Sequence, residues 1–179
     1  MESICGWRNS RAPCVANDMI YVAGFALTGK EIWNVGYGGS VSIMVSGGIA
    51  YVTNGSIYYG LVIYNALTGE KLPANGTSYL GLPNPAEANG RVYTQGAEYL
   101  LRAITAGNLD PLWTYSLPRV VGTSVSSDPT VNNGVVYFCG YDQNSGEFGI
   151  YTLDAVTGTQ KWYAPHAYQR APLVQKDSI

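Results

Sequence analysis

Leu153-Asp-Ala-Val-Thr-Gly-Thr-Gln-Lys-Trp162 is the fullest copy of a phrase that the chain carries four times. The other copies are Ala26-Leu-Thr-Gly-Lys-Glu-Ile-Trp33, Ala66-Leu-Thr-Gly-Glu-Lys-Leu72 and the looser Ala103-Ile-Thr-Ala-Gly-Asn-Leu-Asp-Pro-Leu-Trp113. Recurrence at this period marks stacked or radial units. Upstream of each copy lie two apolar stretches joined by a two-residue turn, the second reaching a Tyr. These pairs occupy 11–22, 41–52, 85–93 and 128–138. Asn89-Gly90 and Asn133-Gly134 sit at the turns, and Asn-Gly between apolar residues is the strongest short hairpin signal. A third stretch follows, clearest as Leu61-Val-Ile-Tyr-Asn65 and Gly149-Ile-Tyr-Thr-Leu-Asp154. Thr-Gly then turns the chain into a fourth, which ends near Trp.

Each unit therefore holds four strands. The aligned tyrosines Tyr21, Tyr51, Tyr93 and Tyr137 are 30, 42 and 44 residues apart. The turn glycines are read as Gly29, Gly69, Gly107 and Gly158, at spacings of 40, 38 and 51. A four-stranded unit of this length is a propeller blade. An α-solenoid would need helical stretches of ten or more residues, and Gly and β-branched residues interrupt every window. The predicted fold is all-β: a β-propeller of four-stranded antiparallel blades, about four of them, as a partial ring or half of an eight-bladed propeller. Residues 1–179 form a single segment with blades at about 11–34, 41–73, 85–116 and 128–163. Only six residues separate Tyr21 from Thr28, against sixteen between Tyr51 and Thr68, so the first blade is expected to be incomplete. Residues 170–179 match 11–20 at six of ten positions and read as the start of a fifth blade.

Composition narrows the function classes. Charged residues are 12% of the chain, about half the usual share, while Tyr and Gly number 15 and 22. Tyr favours strands and Gly favours turns. The net charge is −2 and no basic cluster exists, so nucleic-acid binding has no electrostatic support. No apolar run approaches the ~20 residues of a membrane-spanning helix. Met1-Glu-Ser-Ile-Cys-Gly-Trp-Arg8 lacks the basic head and apolar core of a signal peptide. The chain is read either as cytosolic or as a processed piece of an exported protein. Low charge with abundant Tyr, Asn, Gly and Thr favours an extracytoplasmic site: periplasm, cell surface or secretion. Cys5, Cys14 and Cys139 are an odd set without zinc spacing. They read as buried thiols or, alternatively, as a Cys5–Cys14 bridge with one thiol left over. Asn54-Gly-Ser and Asn75-Gly-Thr fit the glycosylation acceptor pattern but are also turn signals.

The phrase, with Leu153-Asp154-Ala155, Thr157-Gly158 and Trp162 after a Pro-containing strand pair, resembles the repeat of the pyrroloquinoline quinone (PQQ)-like β-propellers. That family includes quinoprotein alcohol dehydrogenases and BamB-type outer-membrane assembly lipoproteins. The resemblance covers roughly residues 11–179. The first copy keeps Thr28-Gly29 and Trp33 but has no Asp. The second has Asn65 in the Asp place and Pro73 in the Trp place. In the third the turn is disturbed, although Trp113 survives. Tyr51-Val-Thr-Asn54 also resembles the YVTN repeats of surface-protein propellers. The resemblance implies that Trp33, Trp113 and Trp162 are buried between neighbouring blades. It also implies that Gly29, Gly69, Gly158 and Asp154 shape the turns at those junctions.

For a quinoprotein dehydrogenase the resemblance further implies a catalytic Asp, a metal held by carboxylates and an Asn, and adjacent cysteines. The chain has no adjacent cysteines, and its twelve acidic residues are scattered. His166, the only histidine, lies in a connector. Asp142-Gln-Asn-Ser-Gly-Glu147 alternates oxygen ligands but lacks the full calcium-loop spacing, and is read as a hairpin loop. No phosphate loop, nucleophile elbow or zinc-protease motif occurs. No catalytic, cofactor-binding or metal residue is assigned. The expected function is a non-catalytic scaffold for protein binding or assembly, with a protein partner or self-association. The Tyr-rich strands leave a carbohydrate or peptide groove as an option. The alternatives are a fragment of a degenerate PQQ-dependent dehydrogenase and a surface-layer or filament subunit.

Overall fold

In the computed structural model, the two Asn-Gly turns are tight left-handed turns. Asn89 and Gly90 have φ of 53° and 73°, and Asn133 and Gly134 have 48° and 73°. Positive φ at both central residues matches the turn to the twist of the strands it joins, and Asn and Gly tolerate that conformation best. The structure describes residues 4–5, 14–16, 19–21, 33–34, 41–54, 60–75, 84–95, 100–117, 127–142 and 146–165. Among these there is no helix.

Four antiparallel sheets result, each with its strands in simple up-and-down order. The first contains β1 (Ile4–Cys5), β2 (Cys14–Ala16) and β3 (Met19–Tyr21). The second contains β4 (Val41–Ser46), β5 (Ile49–Asn54) and β6 (Leu61–Asn65). The third is β7 (Ala86–Ala88), β8 (Arg91–Gln95), β9 (Leu100–Thr105) and β10 (Pro111–Ser116). The fourth is β11 (Thr130–Asn132), β12 (Val135–Asp142), β13 (Glu147–Asp154) and β14 (Gln160–Pro165). The chain divides into two units, Met1–Asn84 with Gly107–Asp110, and Pro85–Ala106 with Pro111–Ile179. In the first unit, Cys14, Tyr21, Val45, Ala50, Val52, Tyr64 and Ala66 form one buried cluster. In the second, Tyr93, Leu101, Ala103, Leu117, Val136, Phe138, Tyr151, Leu153 and Ala155 form another. Phe138 and Tyr151 stack at 5.4 Å in its middle.

Three features depart from the expected blade pattern. The first sheet reaches upstream of residue 11, because Ile4 and Cys5 pair with Val15 and Cys14. A two-residue strand has no periodicity to betray it. The second sheet has three strands, and its fourth is reduced to a single bridge between Tyr64 and Lys71. Leu72 N–H still donates to Ile63 O, but Pro73 follows, and proline has no N–H to extend the ladder.

The third departure concerns the turn register. Ala66 N–H donates to Gly48 O, Ala106 N–H to Gly90 O, and Ala155 N–H to Gly134 O. Ala106 is thus the counterpart of Ala66 and Ala155. Three residues beyond these alanines stand Gly69, Leu109 and Gly158, at φ of 72°, 60° and 72°. Leu109, not Gly107, occupies the left-handed position of the third turn, and it is fully buried. Leucine rarely adopts that conformation, so burial must offset the steric cost.

Cys14 is disulfide-bonded. Its Cα register partner across β1 is Cys5. Cys139 is a buried thiol. The bridged reading therefore holds for Cys14 and the thiol reading for Cys139.

The two turn assignments separate experimentally. Leu109→Ala is expected to cost ~2–5 kcal/mol, as for other buried leucines. A Cβ on the exposed Gly107 meets nothing within 4 Å, so Gly107→Ala is expected to stay within about 0.5 kcal/mol. Urea unfolding of both variants checks this, and the reverse order would restore Gly107 as the turn glycine.

Candidate functional site

The phrase folds into a turn that satisfies its own polar groups. Asn65 Oδ1 accepts the N–H groups of Leu67 at 2.9 Å and Thr68 at 3.1 Å. Asp154 Oδ1 does the same for Val156 at 2.9 Å and Thr157 at 3.0 Å. In both turns the glycine N–H then donates to the carbonyl of that Asn or Asp, at 2.9 Å from Gly69 and 2.8 Å from Gly158. The Thr157 and Val156 N–H groups, in that order, hold the Asp154 carboxyl below its ordinary range. Lys161 Nζ adds to this from 3.3 Å. Each turn also leaves one apolar side chain in solvent at its tip, Leu67 and Val156.

Onto each of these turns closes a Tyr–Trp pair from earlier in the same unit. Tyr21 Oη and Trp33 Nε1 both donate to Ala66 O, at 3.1 and 3.0 Å. Tyr93 Oη and Trp113 Nε1 both donate to Ala155 O, at 3.0 and 3.2 Å. A carbonyl oxygen has two lone pairs, and each alanine uses both. The rings of each pair also touch, at 6.0 Å for Tyr21–Trp33 and 5.8 Å for Tyr93–Trp113. Beneath each indole lies the turn glycine. A Cβ on Gly69 would lie 2.5 Å from Trp33 Cγ, and one on Gly158 would lie 2.6 Å from Trp113 Cδ2. Only glycine admits both the positive φ and the indole. Burial raises the Tyr21 and Tyr93 phenols above their ordinary range, so both keep the proton they donate.

A third aromatic pair of the same kind is open. Tyr137 and Trp162 touch edge to face at 6.4 Å. Trp162 is 47% exposed. This corrects the expectation that it is buried. The physical reason is directional: each indole covers the turn of the following sheet, and among the described residues no such turn follows β14.

The remaining candidates divide as follows. Gly29, His166 and residues 170–179 lie outside the described residues. So do residues 143–145, but Asp142 and Glu147 are opposed Cα partners of a hairpin. Of the two glycosylation candidates, Asn54 is described by its backbone alone. Asn75 is exposed, with Nδ2 donating to Asp110 Oδ1 at 2.9 Å. Among the described residues no three of His, Cys, Asp and Glu cluster as metal ligands would. Among the described residues no helix is long and apolar enough to cross a membrane. Tyr21, Tyr51, Tyr64, Tyr93 and Tyr151 are buried in the cores, which removes them from any surface groove. Sequence reasoning missed Gln95, which is fully buried with its amide oxygen and nitrogen both unpartnered. Four consecutive residues of its strand, Val92 to Gln95, are buried, so no alternation marked the position.

Comparison with known proteins assigns the chain to a family. The family model described as outer membrane protein assembly factor BamB matches residues 16–119. No curated protein matches the sequence. Among solved structures, BamB from Moraxella catarrhalis is similar at 17% identity and a TM-score of 0.50, over 86% of this chain and 58% of that one. The quinohemoprotein alcohol dehydrogenase ADHIIG from Pseudomonas putida HK5 is similar at 18% identity and a TM-score of 0.52, over 69% of this chain and 20% of that one. The computationally designed Ika8 protein is similar at 17% identity and a TM-score of 0.62, over 96% of this chain and 52% of that one. The chain thus spans about a fifth of the dehydrogenase and little more than half of BamB. At these identities the likeness is one of fold: an all-β propeller segment.

Two measurements probe the site. Gly134 and Gly158 have nearly the same φ, but a Cβ on Gly134 meets nothing within 4 Å. Replacing either by Ala costs the left-handed penalty of ~1–2 kcal/mol. Gly158→Ala is expected to lose a further ~1–3 kcal/mol by overpacking Trp113. Equal losses in urea unfolding would show that the indole yields freely. The Asp154 carboxyl gives a pH test. Because its folded pKa is lowered, its contribution is complete above the unfolded value of ~3.9 and is lost as pH falls through the folded value. Asp154→Asn keeps the turn acceptor, as Asn65 does, and removes the titration. The stability difference between wild type and Asp154→Asn is expected to shrink on going from about pH 7 to about pH 2. A constant difference would show that Asp154 does not contribute to acid sensitivity.

Proposed function

The chain belongs to the family of the outer membrane protein assembly factor BamB, and from that premise we propose that it is a non-catalytic scaffold for protein binding or assembly outside the cytoplasm. The observation that carries this reading is the use to which the family's signature residues are put. Trp33, Trp113, Tyr21 and Tyr93 spend their hydrogen bonds on the backbone of the next sheet. That makes a rigid frame and leaves the turn tips as presented groups, which suits a repeat surface that binds through loops. Leu67 and Val156 are such groups, exposed at the same position of two turns. The disulfide at Cys14 supports an oxidising compartment. The low charge of the chain, with its abundant Tyr, Asn, Gly and Thr, also favours an extracytoplasmic site.

Fold likeness to a quinohemoprotein dehydrogenase favours the second reading, a dehydrogenase fragment. One experiment separates the two. A photo-crosslinking residue at position 67 or 156, introduced in the source cells, is expected to trap one discrete protein partner. The same residue at the exposed polar Thr159 is expected to trap less. No adduct at either tip, together with saturable PQQ binding by the purified chain in the presence of calcium, would replace the scaffold reading with the dehydrogenase one.

A further inference from the structure

The first sheet is completed by a strand too short to hold itself. β1 lies at the edge of that sheet and pairs with β2 at two positions only, Ile4 with Val15 and Cys5 with Cys14. Ordering the backbone of a residue costs about as much as a net hydrogen bond returns, so two pairs leave no surplus. A covalent tie supplies what the ladder lacks. Cys14 is disulfide-bonded and Cys139 is a free thiol, so among the three cysteines the bridge joins Cys14 to Cys5. The two are nine positions apart, and such a bridge removes the entropy of a short loop from the open form. Cys14 is also fully buried, in the cluster of Tyr21, Val45, Ala50, Val52, Tyr64 and Ala66. A buried thiol packs as a small apolar side chain. Reduction therefore leaves that cluster filled and removes only the tie to β1. Cys139 belongs to the second unit and is itself buried, so it offers no accessible thiol for exchange.

We infer that the bridge between Cys5 and Cys14 is a redox latch that holds β1 on the first sheet. Closing it oxidises two thiols. Each gives up its proton, one S–S bond forms, and two electrons pass to a disulfide oxidant, which leaves as a dithiol. Opening it runs the same exchange backwards, with a dithiol as reductant. The open form keeps the hairpin of β2 and β3, which pair at three positions, and uncovers the edge of β2 that β1 had occupied. Disulfides persist in oxidising compartments and are kept reduced in the cytoplasm. The first sheet is therefore completed on export. The latch deepens the scaffold reading and rests on its compartment, while its chemistry requires no binding partner.

The test is hydrogen exchange, read by NMR on the purified 179-residue chain with and without a dithiol reductant. The slowest amide of β1 is expected to exchange roughly tenfold or more faster after reduction, within the loop-closure factor of a bridge of this span. Amides of β5, which carries Ala50 and Val52 of the cluster, are expected to be unchanged. Should the buried bridge resist the reductant, Cys5→Ser gives the open form directly and is expected to reproduce the faster exchange. Alkylation in denaturant without reductant is expected to mark Cys139 alone. Equal exchange of β1 in the bridged and open forms would overturn the proposal, as would three alkylated cysteines. Equal acceleration in β5 would also overturn it, by showing that the bridge staples the whole unit and latches no single strand. None of these outcomes bears on the partner trapped at positions 67 and 156, so the two readings fail separately.

Discussion

Within each unit a single carbonyl oxygen, shared between a tyrosine hydroxyl and an indole N–H, ties an aromatic pair to the turn that follows. Ala66 O and Ala155 O each accept both donors within 3.2 Å. This oxygen belongs to a residue whose own N–H is tied to the preceding hairpin turn. The clasp therefore fixes three things at once: the inner hairpin, the outer turn and the neighbouring sheet. Buried tyrosines and tryptophans need a partner for their polar ends. Here the backbone supplies it, so the aromatic area is buried without an unsatisfied donor.

The architecture was legible because turn chemistry is local. Asn89-Gly90 and Asn133-Gly134 announce their φ values in the sequence, and the structure places them there. The alternation in β12 and β13 shows which side faces the core, with Val136, Phe138, Tyr151 and Leu153 inside. What stayed hidden depends on partners that are distant in sequence. The phrase around Trp162 is the best copy in the chain, yet its indole is open, because a copy supplies the Trp to the next sheet and the turn to the previous one. Reading each phrase as one object conceals that it is two half-sites. Similarly, the Gly107 alignment followed residue type, whereas the hydrogen bond from Ala106 to Gly90 moves the left-handed position to Leu109.

Pro73 and Leu109 can be understood together. In the second phrase the Trp place holds proline, and in the third phrase the glycine place holds a buried leucine. Elsewhere the large residue is an indole and the small one a glycine. Each change removes one part of the aromatic clasp: the indole in the second phrase and the bare glycine in the third. The third phrase is itself divided, its Gly107–Asp110 turn belonging to the first unit and its flanking strands to the second.

Function in such a chain lies in what packing leaves over. Three of the four recurring tyrosines, Tyr21, Tyr51 and Tyr93, are buried, and the glycines serve φ and close approach. A residue fully engaged by the frame has no free valence for chemistry, so the repeat signature describes the frame and says nothing of a reaction. Among the described residues, the groups that remain include the turn tips, the buried amide of Gln95 and the open pair of Tyr137 and Trp162. The last of these differs from the others in its chemistry. Leu67 and Val156 offer only aliphatic surface, whereas Trp162 presents an indole to solvent beside the Tyr137 ring, and an aromatic surface contributes both area and directional contacts.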